Sequence, residues 1–350
     1  MDKVRIGILG AGLFACYSHI PRLLATGEVE LTAVCRRSSE ALQKVGDHFG
    51  IPRRYTDYGE MLDDAPLDAV VVSSPHALHY EHVRAVLQHG FAVLTDKPLA
   101  IHLAEAEALK DLAAAKGLTL MVAAGPPYDA AHRYMQGRIV RGDLGIILLA
   151  QVYALTNVDA LGFFGRAAFP DSLPVPVPPT DFRAHLDLGG GGYFQDVGIL
   201  AVTGLQPVEV NATFDAAEVE LRPSVTIRFG GGAVATITQF ADANPEHRTL
   251  VDLSGTLFAG SKGSLSKDSR TGKLLFQGWD LQVEQVPDEA LPPKSSPDQN
   301  FVGVLRGREA ALFPTDLAVE TVRVVEAAYR SAREGQTVHL GDRHTTVRTP

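Results

Sequence analysis

Val4-Arg5-Ile6-Gly7-Ile8-Leu9-Gly10-Ala11-Gly12-Leu13-Phe14-Ala15 is an apolar run that breaks at a Gly-x-Gly-x-x-Ala turn. A helical stretch to about Thr26 follows, and then a second apolar run, Leu31–Cys35. A glycine-rich hexapeptide alone says little. Strand, tight turn, helix and second strand in that order describe the opening βαβ unit of a dinucleotide-binding fold. Gly10 permits the tight turn, Gly12 lets a pyrophosphate approach the backbone, and Ala15 keeps helix and sheet close. The N–H groups around Leu13 and Phe14, at the helix N-terminus, face the phosphates with a positive partial charge. The bare alternative is a strand–helix turn that holds no ligand.

The end of the second strand speaks to which dinucleotide binds. Folds that take NAD usually carry Asp or Glu there, accepting from the ribose 2′-hydroxyl. Here the chain reads Val34-Cys35-Arg36-Arg37-Ser38-Ser39, with no carboxylate before Glu40. Arg36, Arg37 and Ser38 suit a 2′-phosphate, so NADP is expected over NAD; otherwise the arginines are solvated loop charges.

Farther out, apolar runs recur at Ala69–Ser73, Ala92–Thr95 and Leu118–Ala123, with helical spacing at Leu42, Val45 and Phe49 and at Leu109 and Leu112. Strands alternating with helices predict an α/β, doubly wound parallel sheet over residues 1–123. After Gly125-Pro126-Pro127 the pattern changes. A helix is expected over about 129–141, then strands at 146–155, 208–214, 218–229 and 233–240, the third alternating with period two. Residues 124–350 therefore read as an α+β domain with an open, mostly antiparallel sheet and helices on one face. The closing helix runs from Thr315 as N-cap to Gly335, with Ala318, Val322, Val325, Tyr329 and Ala332 on one stripe.

The 350 residues suit two domains, and 45% hydrophobic with 21% charged residues is ordinary for a globular protein. A net charge of −9 without a basic stripe argues against nucleic acid and an anionic membrane surface as partners. No run is long enough to span a bilayer, and the N-terminus has no signal-peptide pattern. Cys16 and Cys35 could form one pair, but a reducing cytoplasm fits as well, and a cytoplasmic protein is expected. The histidines show no HxxxH spacing with a carboxylate set, and no nucleophile elbow occurs, so no metal site is expected.

Two further stretches bear chemistry: Ser73-Ser74-Pro75-His76-Ala77-Leu78-His79 and Thr95-Asp96-Lys97-Pro98-Leu99. Lys97 just past a buried strand stands at the carboxyl edge of the sheet, where doubly wound folds bind ligands. A partly desolvated lysine exchanges protons near neutrality. His79 is expected at the cofactor edge and His76 facing solvent.

Together with the glycine turn, Ser74-Pro75 with His79, and Asp96-Lys97-Pro98, the chain carries Phe182-Arg183, Gly189–Gly192, Asp196-Val197-Gly198, Asn300-Phe301 and Glu326–Ala332. In this order and spacing they resemble the Gfo/Idh/MocA family of glucose–fructose oxidoreductases, inositol dehydrogenases and rhizopine-catabolism proteins, over most of the chain. The resemblance implies a Rossmann domain, an open sheet that often forms the oligomer contact (hence a homo-oligomer, dimer or tetramer), and a last helix, 315–335, returning to the first domain. It implies hydride transfer between nicotinamide and a hydroxyl or carbonyl carbon of a sugar, polyol or similar small molecule. Lys97 matches the catalytic lysine, Asp96 lies by the nicotinamide ribose, and Asp196 matches the active-site aspartate.

The chain departs from the family pattern on one side of the pocket. Many members place a histidine four residues after the aspartate; here Leu200 stands there, and leucine carries no proton. Thr203 and Gly125-Pro126 replace further polar residues of the pattern. Candidates for what remains are Lys97 as acid/base, Arg183 on substrate oxygens, and His185 and Tyr193 as substrate-lining or proton-moving groups. Phe163, Phe164 and Phe169 hint at an apolar loop near the pocket mouth. Three readings follow: an NADP-dependent oxidoreductase, a non-catalytic dinucleotide-binding regulator or scaffold, and a closed redox cycle whose cofactor never leaves.

Overall fold

Five of the six residues of β1 (Val4–Leu9) are buried, as expected of a strand covered on both faces. The computed structural model describes residues 2–157, 177, 180–191, 204–215, 219–242, 253–268 and 270–341. By contacts the chain divides into two units. The first comprises Met1–Gly125, Gly162–Gly190 and Ser295–Val322; the second comprises Pro126–Leu161, Gly191–Lys294 and Arg323–Pro350.

In the first unit, β1 leads through the glycine turn into a helical segment, Ala15–His19, continued by α1 (Ile20–Ala25). Then come β2 (Val29–Cys35), α2 (Ser39–Phe49), β3 (Arg53–Tyr55), α3 (Tyr58–Asp64) and β4 (Ala69–Val72). They are followed by α4 (His79–Gln88), β5 (Ala92–Asp96), α5 (Leu103–Lys116) and β6 (Leu120–Ala123). The six strands are all parallel, in the order β3-β2-β1-β4-β5-β6. The order reverses beside β1, and such a switch point opens a ligand crevice at the carboxyl ends of the strands. Ile6, Ile8, Val34, Val71 and Leu94 form its core with Phe301 and Val302.

The second unit carries α6 (Ala130–Val140) and β7 (Ile147–Asn157). The described part of the segment before the glycine run ends in α7 (Leu186–Gly189), which belongs to the first unit. The strands continue with β8 (Pro207–Thr213), β9 (Ser224–Phe229), β10 (Val234–Asp242), β11 (Leu253–Gly260), β12 (Gly263–Asp268), β13 (Leu274–Gly278), β14 (Val283–Gln285) and a closing β15 (Val338–His339). Their order is β14-β13-β12-β11-β7-β10-β9-β8-β15, antiparallel except for β7 against β10. The fold is thus the expected α/β Rossmann sheet with a C-terminal, mostly antiparallel sheet.

Before β15 lie α8 (Pro297–Leu305) and α9 (Thr315–Glu334). Residues of α9 up to Val322 belong to the first unit and the rest to the second. Thr315 does not cap α9. It is the first helical residue, Pro314 offers its carbonyl to Leu317 and Ala318, and the Thr315 hydroxyl donates to the carbonyl of Leu120 at 2.6 Å.

One expected strand is shorter than its pattern. Regular pairing in the stretch 218–229 starts at Ser224. Pro223 has no N–H to give a ladder, and Asp215 accepts from the N–H groups of Leu221 and Arg222, both at 2.9 Å, pulling that part into a turn.

Within the second unit, Ser331 on α9 is fully buried; its hydroxyl accepts from Ala212 N–H on β8 at 2.9 Å and donates to the Gln336 carbonyl at 2.6 Å. Ser331→Ala leaves the buried Ala212 N–H unpaired, so denaturant unfolding should show a loss of about 1–3 kcal/mol; an unchanged midpoint would mean that this lock is idle.

Candidate active site

The glycine turn sits where three strand ends converge. Gly10 has φ +88°, and a Cβ on it would lie 2.6 Å from the Ser74 nitrogen and 2.7 Å from the Ser73 carbonyl carbon, both backbone atoms beyond β4. Gly10 N–H and Ala11 N–H both donate to the Cys35 carbonyl at the end of β2. Gly10 is therefore required by the chain itself. Gly12 is not: a Cβ there would meet nothing nearer than 3.9 Å, the Gly10 oxygen, and its φ is ordinary. The space above Gly12 is open, and half-buried Leu13 and Phe14 follow it at the start of a helix. Such a cradle, with helix N–H groups behind it, fits a pyrophosphate.

The two arginines past β2 differ. Arg36 is half-buried, and its Nη1 donates to the Ala11 carbonyl at 2.6 Å, so it braces the turn. Arg37 is exposed. Ser38 caps α2, accepting from Ala41 N–H at 3.4 Å.

Lys97 follows β5 directly, and the Lys97–Pro98 peptide is cis. The Asp96 carboxylate is buried and accepts from the Lys97 N–H at 2.9 Å. Burial drives the Lys97 ammonium down to about 7, the Arg183 guanidinium pushes the same way, and Asp96 opposes both. Arg183 is likewise lowered by burial, against the pull of Asp96 and Tyr17, and its guanidinium lies over the Phe182 ring. Lys97, Arg183, Asp96 and Tyr17 thus form one electrostatic cluster in the first unit.

The β4–α4 loop supports this cluster. His76, expected in solvent, is instead 4% exposed: its Nδ1 is 3.0 Å from the Gly189 carbonyl oxygen and its ring packs edge-on against Phe182. Burial, then Arg183 and Lys97, hold it well below the ordinary imidazole range, so it is neutral. A neutral Nδ1–H donating to that carbonyl ties the loop to the segment that bears Arg183. Gly190, at φ +74°, is held so close to Ile101 that a Cβ would lie 2.6 Å from its side chain. His79 is fully buried and contacts two backbone carbonyls, those of Pro98 and Ser74, so it faces the chain. The Ser74 hydroxyl lies 2.9 Å from Nδ1 of His82, whose pKa burial takes down to about 4.

Of the remaining expected substrate residues, His185 is not drawn into this cluster. His185 is exposed and pairs with Asp181 at 3.2 Å. Asp196, Tyr193, Leu200, Thr203, Phe163, Phe164 and Phe169 lie outside the described residues. Asn300 serves the fold: its amide donates to Glu309 and the Ala310 carbonyl and accepts from Leu312 N–H, fastening the loop after α8. Sequence reasoning misplaced His76 and missed Tyr17 and a buried pair, His19 Nδ1 to Asp298 Oδ1 at 2.7 Å. Among the described residues, no group of three or more His, Cys, Asp or Glu is arranged for a metal ion.

Glycine turn, switch-point crevice and half-buried lysine fit a nucleotide-dependent oxidoreductase fold, and comparison with known proteins agrees. Residues 4–124 match the model described as "Oxidoreductase family, NAD-binding Rossmann fold". The match to this Gfo/Idh/MocA family model lies in the nucleotide-binding span, and relatives similar along most of the chain are likewise named as dehydrogenases. It is 28% identical over 346 residues to D-xylose 1-dehydrogenase (NADP(+)) 2 of Haloferax volcanii, covering 95% of this chain and 99% of that protein. It is 24% identical over 371 residues to D-glucoside 3-dehydrogenase of Escherichia coli, covering 97% and 98% respectively. Among solved structures, the aldose-aldose oxidoreductase from Caulobacter crescentus complexed with glycerol superposes with a TM-score of 0.78 at 24% identity, over 97% of this chain and all of that one.

The two glycines separate folding from binding. Gly10→Ala should destabilise the protein by about 1–3 kcal/mol from backbone strain alone. Gly12→Ala should melt like the parent yet lose dinucleotide binding in fluorescence titration; retained affinity would show that the cradle is not where the pyrophosphate rests.

Proposed function

We propose that this protein is an NADP-dependent dehydrogenase or reductase acting on a hydroxyl or carbonyl carbon of a sugar, polyol or similar small molecule. The observation that carries the reading is the position of Lys97, half-buried at the carboxyl edge of the sheet next to buried Asp96, where burial and the Arg183 guanidinium lower its amine to about 7. Supporting it are relatives named as dehydrogenases of D-xylose and D-glucosides.

The bound dinucleotide supplies or takes up the hydride. The chain supplies the rest. Neutral Lys97 accepts the hydroxyl proton as the carbon is oxidised, and its ammonium returns a proton in the reductive direction. Arg183 holds substrate oxygens. Asp96 balances the two cations and lies by the nicotinamide ribose, while Gly12 and the helix start carry the pyrophosphate. Arg37, exposed beyond the braced Arg36, takes the 2′-phosphate, in keeping with a relative named as using NADP(+). Asp196 completes the site as the resemblance assigns it.

A second reading rests on Leu200: without the family's usual histidine, the protein is a dinucleotide-holding regulator. The likeness to an aldose-aldose oxidoreductase keeps the closed redox cycle in view as a variant of the first reading. A homo-oligomer built on the second unit's sheet is part of the proposal, since Leu148, Trp279, Leu281 and Val283 are all more than half exposed there. Cytoplasmic residence is part of it too, supported by free thiols at Cys16 and Cys35; no helix among the described residues is long and apolar enough to cross a membrane.

Assayed on an aldose and polyol panel with both coenzymes, Lys97→Met should lower kcat/KM by about 10²–10⁴-fold; undiminished turnover would end the assignment. Oxidation should rise with pH through about 7 and level off as the Lys97 amine becomes neutral, and reduction should fall over the same range. Arg37→Ala should weaken NADP binding about tenfold or more and leave NAD binding unchanged; equal losses for both coenzymes would remove Arg37 from the specificity role.

A further inference from the structure

One buried imidazole joins the β4–α4 loop to the Lys97–Pro98 step. His79 Nδ1 lies 2.6 Å from the Pro98 carbonyl oxygen, and Nε2 lies 2.8 Å from the Ser74 carbonyl oxygen. Carbonyl oxygens only accept. A neutral imidazole has one N–H, so one of its nitrogens would present a lone pair to an oxygen lone pair at hydrogen-bonding distance. The imidazolium alone donates at both ends.

Opposing influences act on the ring. Burial is the largest and draws His79 below the ordinary imidazole range, with Lys97 adding to it; the two carbonyls and Asp96 pull the other way. Charge-assisted hydrogen bonds are roughly twice as strong as neutral ones and shorter, and both contacts here are shorter than the usual N–H···O separation of about 2.9–3.0 Å. Geometry therefore favours the cation where burial alone would not.

The neighbours leave room for that charge. Asp96 and Lys97 face His79 from the end of β5, His76 from the loop with ring centroids 5.6 Å apart, and His82 from α4. His76 and His82 are both held neutral by burial and add no charge. Asp96 is the anion of the four.

We propose that His79 is held as an imidazolium whose two N–H groups clamp the Ser74 and Pro98 carbonyls, and that this cation positions Lys97 and keeps its amine in the proton-accepting form. The second half rests on the function proposed above. A positive charge beside Lys97 disfavours a second one, as Arg183 already does. His79 is thus a positioning residue, acting through Lys97.

The test uses the full chain labelled with ¹⁵N-histidine. Two-bond ¹H–¹⁵N correlation is recorded at about pH 8, well above the ordinary imidazole value of about 6.5, with His79 assigned through its Overhauser contacts to Pro98. Both ring nitrogens should report as protonated. One protonated and one bare nitrogen would overturn the proposal, and this arm needs neither substrate nor coenzyme. In His79→Gln the charge is gone, so the pH limb of kcat/KM for oxidation should move up by about one unit, about a tenfold loss near neutrality. A loss equal at every pH, with the limb in place, would overturn the action on Lys97. Undiminished turnover in Lys97→Met would also overturn that half, through the functional reading and with the ring's protonation state decided separately by the NMR arm.

Discussion

At Gly10 the carboxyl ends of β1, β2 and β4 meet. Two N–H groups of the turn share the Cys35 carbonyl, and the backbone of Ser73 and Ser74 fills the space a side chain would need. The strands are thereby drawn together at the point where their order reverses. From this junction the constraint spreads: Arg36 braces the turn through Ala11, Ser74 offers its carbonyl to His79, and His79 reaches Pro98. Lys97 is therefore placed by backbone carbonyls in succession. Few of the links depend on long, flexible side chains.

The electrostatics follow from that placement. Lys97 and Arg183 share a poorly solvated space with Asp96, and two cations there cannot both be held cheaply. The strain falls on the group able to release a proton, because a guanidinium holds its own under all ordinary conditions. An amine that titrates near neutrality is the consequence. This arrangement of Lys97, Arg183 and Asp96 lies wholly in the first unit.

Much of the fold was legible in the chain. Val4–Leu9, Ala69–Val72 and Ala92–Asp96 read as strands because burial on both faces demands unbroken apolar runs. Gly10 was legible because no other residue takes that turn. The short β3 was not, since Arg53–Tyr55 is an edge strand without an apolar signature. The early part of the 218–229 stretch misled because alternation reports which side chains are buried, whereas pairing also needs donors that Pro223 lacks and Asp215 diverts. His76 misled for a related reason: a loop histidine looks solvated until a segment more than a hundred residues on supplies the Gly189 carbonyl that covers it.

The kind of protein this is was written into the order of its residues. Strand periodicity, a turn only glycine can make, and a lysine just past a buried strand are local properties, dictated by dihedral limits and burial over a few neighbouring residues. What those residues can do arose from the folded arrangement. It separated Arg36 from Arg37, put His76 and His79 under the site, and joined His19 to Asp298 across 279 positions. A hydrogen bond or a lost hydration shell depends on which atoms come within about 3 Å, and that proximity arises only once the strands have closed on one another.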